Sequence, residues 1–295
     1  MFIIKHRKIF IILSLVLVLV SALFIAVFGL HAGIEFKGGA ILEASYESTR
    51  PEQEMINEKI QVLELGAVLI QPTGELGYIL KSRDLTDAEH AELLEAISEK
   101  DNPATEVSFN SIGPSVGSEL LRKAILSIIF VILAIIFFIA FAFRKVSHPV
   151  SSWKYGIITV VTLLHDIIIS AGLFALFAHY TEAEVDTLFV LALLTVLGLS
   201  VHDKIVVFDR IRENLREGSK KDFSETVGES TSATIVRSIN ITLTIIFVLV
   251  PLYLFGPETT KNFSLILTVG LFFGIYSSLF FASPLLVWVL EYQKK

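Results

Sequence analysis

No cysteine occurs among the 295 residues, which excludes disulfides, thiolate metal sites and cysteine nucleophiles. No Walker loop is present, so the chain does not hydrolyse ATP by that route. The pair Gly38-Gly39 has no following helix and no Lys-Ser/Thr partner, and it reads as a tight turn or bulge entering a strand rather than a phosphate cradle. Charge is missing over long stretches: residues 124–143 carry none, and neither do residues 188–198. Hydrophobic residues make up 53% of the chain, above the usual share of a soluble domain. Uncharged runs of about 20 residues are long enough to cross about 30 Å of hydrocarbon as helices. The composition therefore points to an integral membrane protein, and the placement of its charges matters more than their sum of −6.

Six apolar spans are present, at 9–30, 124–143, 155–178, 188–208, 235–255 and 263–290. The first follows Lys5-His6-Arg7-Lys8 and is longer than the ~7–15-residue apolar region of a signal peptide, so it reads as a retained helix. Lys and Arg in short loops favour the cytoplasm. They cluster before the first span, between the second and third (Arg144, Lys145, Lys154), between the fourth and fifth (Arg210, Arg212, Arg216, Lys220, Lys221) and at the end (Lys294, Lys295). The alternate loops hold Glu182, Glu184 and Asp186, or Lys261 alone. Both termini are expected inside.

Three segments follow: the N-terminus and first helix (1–30), an outer domain (31–122) and the remaining five helices (123–295). In the outer domain, 40–48 alternates like a strand and 51–65 keeps a helical period behind Pro51. Residues 67–71 and 76–82 read as strands around a Pro72-Thr73-Gly74 turn. Thr86 and Glu89 have capping-box spacing ahead of Leu93, Leu94 and Ile97, and 105–112 is a last strand. The order β-α-β-β-α-β predicts a ferredoxin-like fold. The fold class is thus a mainly α membrane protein, a six-helix transmembrane bundle with one small α+β extracytoplasmic domain. That domain is acidic, which speaks against nucleic acid as a partner.

An ionisable residue within a membrane helix costs at least ~2.5–3.5 kcal/mol at the centre and marks a candidate functional site. Asp166, Asp203 and Arg237 are such residues. The rise of the helix puts Asp203 roughly 22 Å, Arg237 roughly 27 Å and Asp166 roughly 18 Å below the outer face. Asp203 and Arg237 agree within a turn, so they are expected to face each other from adjacent helices and form a proton-carrying pair. His165 and His202 are candidate relays, since imidazole titrates near pH 6.5. Each has an equally weighted alternative as a hydrogen-bonding neighbour only. Ser200, Thr234, Asn240 and Thr244 are candidate supporting polar groups, able to bond across a helix interface or to hold water. The competing reading places Asp203 at the cytoplasmic headgroups, with Lys204 snorkelling outward.

These motifs resemble the SecF family of protein translocase subunits, which work with SecD beside the bacterial protein-conducting channel. The resemblance spans nearly the whole chain. It rests on Gly33-Ile34-Glu35-Phe36-Lys37-Gly38-Gly39 and Ile112-Gly113-Pro114-Ser115-Val116-Gly117 at either end of the outer domain. It rests also on His165-Asp166 and on Asp203 followed by Val206-Val207-Phe208-Asp209-Arg210-Ile211-Arg212-Glu213-Asn214. It implies a bundle of the resistance-nodulation-division type and a role in preprotein export driven by the proton motive force, with Asp203 and Arg237 on the proton path and His165-Asp166 matching a further motif. It further implies SecD, the SecY/SecE/SecG channel, a YajC-like accessory subunit and the translocating preprotein as partners, in the bacterial cytoplasmic membrane. No cofactor is expected; the coupling ion is the proton, with sodium as the alternative. The chain departs from the family at Glu35 (usually Asp), Lys37 (usually Thr) and His202 (usually Asn), and is poorer in Thr and Ser after Arg237. A small-molecule or lipid exporter of the same superfamily carries a far larger outer domain. A passive scaffold of the channel would tolerate neutral residues at Asp203 and Arg237.

Overall fold

The computed structural model describes residues 2–142, 151–181, 183–216 and 222–293. Arg144, Lys145, Glu182, Lys220, Lys221, Lys294 and Lys295, which carry part of the loop-charge pattern, lie outside them. In chain order the elements are α1 (Phe2–Lys5), α2 (Arg7–Phe28), α3 (Ile34–Lys37), β1 (Gly39–Tyr46), α4 (Gln53–Gln61), β2 (Leu69–Thr73), β3 (Gly77–Ser82), α5 (Asp87–Ile97), β4 (Ala104–Ile112), α6 (Pro114–Ala142), α7 (Ser152–Thr181), α8 (Thr187–Arg216), α9 (Phe223–Phe255) and α10 (Glu258–Tyr276). A π-helical segment, Ser277–Ala282, then leads into α11 (Ser283–Gln293). The contacts divide the chain into two units, Ala32–Ile125 and the remainder.

Among the described residues, six helices are long and apolar enough to cross a membrane: α2, α6, α7, α8, α9 and the run through α10, the π segment and α11. Several outlast the apolar runs that announce them. Helix α8 continues to Arg216, beyond the predicted end at 208, and α9 begins at Phe223 rather than at 235. The bundle is built inside-out by the standards of a water-soluble protein. On α2 the buried residues are Ser14 and Ser21, while Ile9, Leu15, Leu19, Leu23 and Val27 are exposed. Lipid is as apolar as leucine, so helices in it associate through small residues that let backbones approach. Gly172 of α7 lies directly on Ser21, and Gly270 and Gly274 of α10 lie against Val196 and Ser200 of α8. Arg7 closes α2 onto α11 through a two-pronged bond to Glu291, at 2.6 and 2.8 Å.

Two apolar clusters fill the bundle. One gathers Ile4, Leu197, Phe208, Ile211 and Leu286, the other Phe174, Phe189, Ala192, Leu249 and Ile266. Ile167 of α7 packs against both, so its neighbour Asp166 sits where they meet.

In the unit Ala32–Ile125 the four strands are antiparallel in the order β2-β3-β1-β4, the order of a split βαβ fold. Ala40, Leu42, Ala44 and Tyr46 alternate along β1 into one core with Ile56 and Ile60 of α4 and Leu93 and Ile97 of α5. Tyr46 donates to the carbonyl of Ile97 (3.1 Å), and burial pushes its hydroxyl up to about 12. The predicted capping box forms: Thr86 Oγ1 accepts from the Glu89 amide, and the Glu89 carboxylate accepts from the Thr86 amide at 2.8 Å. Two details differ from the sequence reading. Pro72 and Thr73 lie within β2 rather than in a turn, which proline tolerates because β2 is an edge strand. Pro51 precedes α4 instead of opening it, and its carbonyl accepts from Tyr78 (2.7 Å).

Gly38 and Gly39 have φ of +86° and +142°. A side chain on Gly38 would strike the backbone of Pro114 at 2.7 Å, so glycine is needed for both conformation and space. Gly33 precedes α3, which contains Glu35; Gly113 precedes α6, and Pro114 is its first residue, where a missing N–H costs nothing.

Candidate functional site

Helices α7 and α8 each place polar residues one turn apart on a buried stripe. On α7 these are Thr159, Thr162, Asp166 and Ser170; on α8 they are Ser200 and Lys204. The π segment supplies Ser277. A π turn accommodates an extra residue and often marks a functional position in a helix. Here it brings Ser277 into the bundle, where its Oγ lies 2.8 Å from Asp166 Oδ2.

Asp166 is the centre of the cluster and is completely buried. Its Oδ1 lies 2.9 Å from His165 Nδ1. Its Oδ2 accepts from Ser200 Oγ (2.5 Å), Ser277 Oγ (2.8 Å) and Lys204 Nζ (2.9 Å). Lys204 is also completely buried, and its ammonium donates to Ser200 and, at 3.0 Å, to Ser277 as well. The three N–H groups of an ammonium thus find three acceptors. The Asp166–Lys204 pair is fully buried inside the bundle, with two hydroxyls bonded to it. The His165 ring has those of Phe281 (5.1 Å) and Tyr276 (6.2 Å) as neighbours. Its Nε2 is buried without a hydrogen-bond partner among the described residues. Tyr276 reaches on to Ser14 of α2 (3.2 Å).

The residues marked by the sequence separate into three groups. His165, Asp166 and Ser200 come together in this cluster. Asp203 is buried beside it on α8, yet forms no hydrogen bond or ion pair among the described residues, and His202 next to it is exposed. On α9, Thr234 is buried and donates to backbone carbonyls of its own helix, whereas Arg237, Asn240 and Thr244 are exposed. No ion pair joins Asp203 to Arg237 among the described residues. Equal depth fixes the level of two residues but not the direction each faces. On α9 the buried stripe runs through Ser230, Thr234, Ser238 and Thr242, and Arg237 stands outside it. The snorkelling path for Lys204 is also absent, because its ammonium turns inward to Asp166.

Sequence reasoning missed Lys204 and Ser277 as members of the cluster. For Lys204 a signal existed: it follows Ser200 by four residues and Leu197 by seven, a helical stripe of one face. For Ser277 there was none, since the shift to π bonding leaves no mark in composition. No group of three or more His, Cys, Asp or Glu side chains placed to hold a metal ion occurs among the described residues.

The chain matches the family model described as protein export membrane protein SecD/SecF, C-terminal, over residues 93–292. The protein translocase subunit SecF of Thermobaculum terrenum is 39% identical over 97% of this chain and 92% of its own length. That of Haemophilus influenzae is 32% identical over 94% of this chain and 82% of its own length. Among solved structures, SecDF of Thermus thermophilus, a translocon-associated membrane protein, superposes with a TM-score of 0.81 at 25% identity. The match covers 99% of this chain and 38% of the SecDF chain. With six helices long and apolar enough to cross a membrane among its described residues, the chain belongs to the SecD/SecF protein-export family, as a SecF-type auxiliary subunit of the Sec protein translocase.

Proposed function

We propose that this subunit, joined to a SecD partner, uses the proton motive force to promote protein export across the bacterial cytoplasmic membrane, with both termini in the cytoplasm. It acts by moving charge and helices, without bond-breaking chemistry and without a cofactor. The observation that carries this reading is the concentration of buried ionisable groups: His165, Asp166 and Lys204 where α7 meets α8, and Asp203 next to Lys204 on α8. Ionisable groups inside a membrane bundle are expensive and are kept for ion pathways and coupling. Asp203 is the carboxylate there that is not already committed to hydrogen bonds. Gaining or losing one proton changes its charge beside Lys204, and ~2.3 kcal/mol per 100 mV for each proton that crosses is enough to bias a two-state bundle.

Arg237 supports the partnership. It stands with Asn240 and Thr244 on a face of α9 that is otherwise apolar, flanked by Val236, Ile241 and Val248. A guanidinium in a membrane span calls for a counter-group, and SecD packed on the α8–α9 face supplies one. The SecY/SecE/SecG channel and a YajC-like subunit complete the assembly, and the outer domain holds and releases the translocating preprotein.

The test is export of a reporter preprotein in cells carrying Asp203→Asn, with protein level and SecD association followed in parallel. Export is expected to fail while assembly is normal. Export at the normal rate would leave the passive scaffold as the function.

A further inference from the structure

The surroundings of the Lys204 ammonium have the form of a small cation site. Three oxygens face it: Asp166 Oδ2 from α7, Ser200 Oγ from α8 and Ser277 Oγ from the π segment. Carboxylate and hydroxyl oxygens are hard donors of the kind that hold hard cations. One carboxylate supplies one negative charge, which neutralises a monovalent cation and leaves a divalent one in excess. Every member of the site is buried to 2% exposure or less, so an unbalanced Asp166 there would be costly. The other polar and ionisable side chains around it are His165 on α7, Asp203 on α8 and Tyr276 at the end of α10; the α9 cation, Arg237, faces outward.

We infer that Lys204 is a tethered cation, whose ammonium takes the place a free monovalent ion would hold between Asp166, Ser200 and Ser277. The site is therefore filled by the chain itself, and this subunit needs no sodium or other alkali ion there. The Asp166–Lys204 pair keeps both charges and acts as a fixed pin joining α7, α8 and the π segment. This leaves Asp203 as the carboxylate free to titrate. The inference deepens the proposed function, on which it rests for its meaning, since it separates the fixed charges from the movable one.

The test is thermal unfolding of the full-length protein, purified in detergent, in sodium, lithium, potassium or choline chloride at matched ionic strength. The wild type is expected to melt at one temperature in all of them. Lys204→Ala opens the cage and is expected to melt lower in choline, with sodium or lithium restoring part of the loss in a saturable way. If that variant is not recovered folded in choline, recovery in sodium alone is the same result in another form. Lys204→Gln, which keeps an N–H donor but no charge, is expected to show a smaller loss and a weaker response to sodium. Selective stabilisation of the wild type by sodium or lithium would overturn the inference. So would a Lys204→Ala protein that melts alike in every salt, or that folds in none. Reporter export with Asp203→Asn is a separate readout, so the proposed function stands or falls apart from this result.

Discussion

The ammonium of Lys204 and the carboxylate of Asp166 stand 2.9 Å apart inside the bundle, and neither side chain is exposed at all. Removing one partner of such a pair strands the other charge, at a cost of about 3–5 kcal/mol, whereas removing both is often near neutral. Lys204→Met and Asp166→Asn are each expected to lower stability by about that amount. The double variant is expected to recover most of the loss. Equilibrium unfolding in detergent measures all three, and simple addition of the two single losses would contradict the pairing.

The glycines of the α+β domain separate strain from collision. Gly66 has φ of +79° with nothing near its absent side chain, while Gly38 has φ of +86° and would strike Pro114. Gly66→Ala is expected to cost about 1–2 kcal/mol, the left-handed penalty alone. Gly38→Ala is expected to cost clearly more, because backbone cannot swing away as a flexible side chain does. Hydrogen exchange across β1 in the two variants distinguishes them, and equal losses would count against the contact.

Glu89 ties α5 to the preceding loop. Hydrogen bonds from Arg83, then from Thr86, hold its carboxyl down at about 2, against an ordinary value of 4.5. A carboxyl with a depressed folded pKa stabilises the fold above its unfolded pKa and ceases to do so as pH falls through the folded one. Protection of the α5 amides against exchange is therefore expected to hold at neutral pH and to decline between about pH 4.5 and pH 2. In Glu89→Gln that decline should be flatter. An unchanged profile in the variant would assign the acid sensitivity to another group.

The sequence exposed much of this architecture and little of the site's geometry. The six helices were legible because an uncharged run has few alternatives in lipid, and the α+β domain because Thr86-Glu89 and the alternation along β1 are local signals. Depth along a helix could be counted from Asp203 and Arg237, but rotation about the axis depends on neighbours, and there the expected pair came apart. Lys204 was read through the usual habit of lysine near a helix end. What overrode that habit is a carboxylate 38 positions earlier, a contact no local pattern encodes.

Gly270 and Gly274 lie against Val196 and Ser200, so at these two positions α8 and α10 meet backbone to side-chain root. Such a seam has no slack. Were α8 displaced along its axis, no flexible side chain at these two positions could absorb the shift, and α10 would be pushed with it. In the proposed coupling, a change of charge at Asp203 on α8 would therefore be felt by α10 as well.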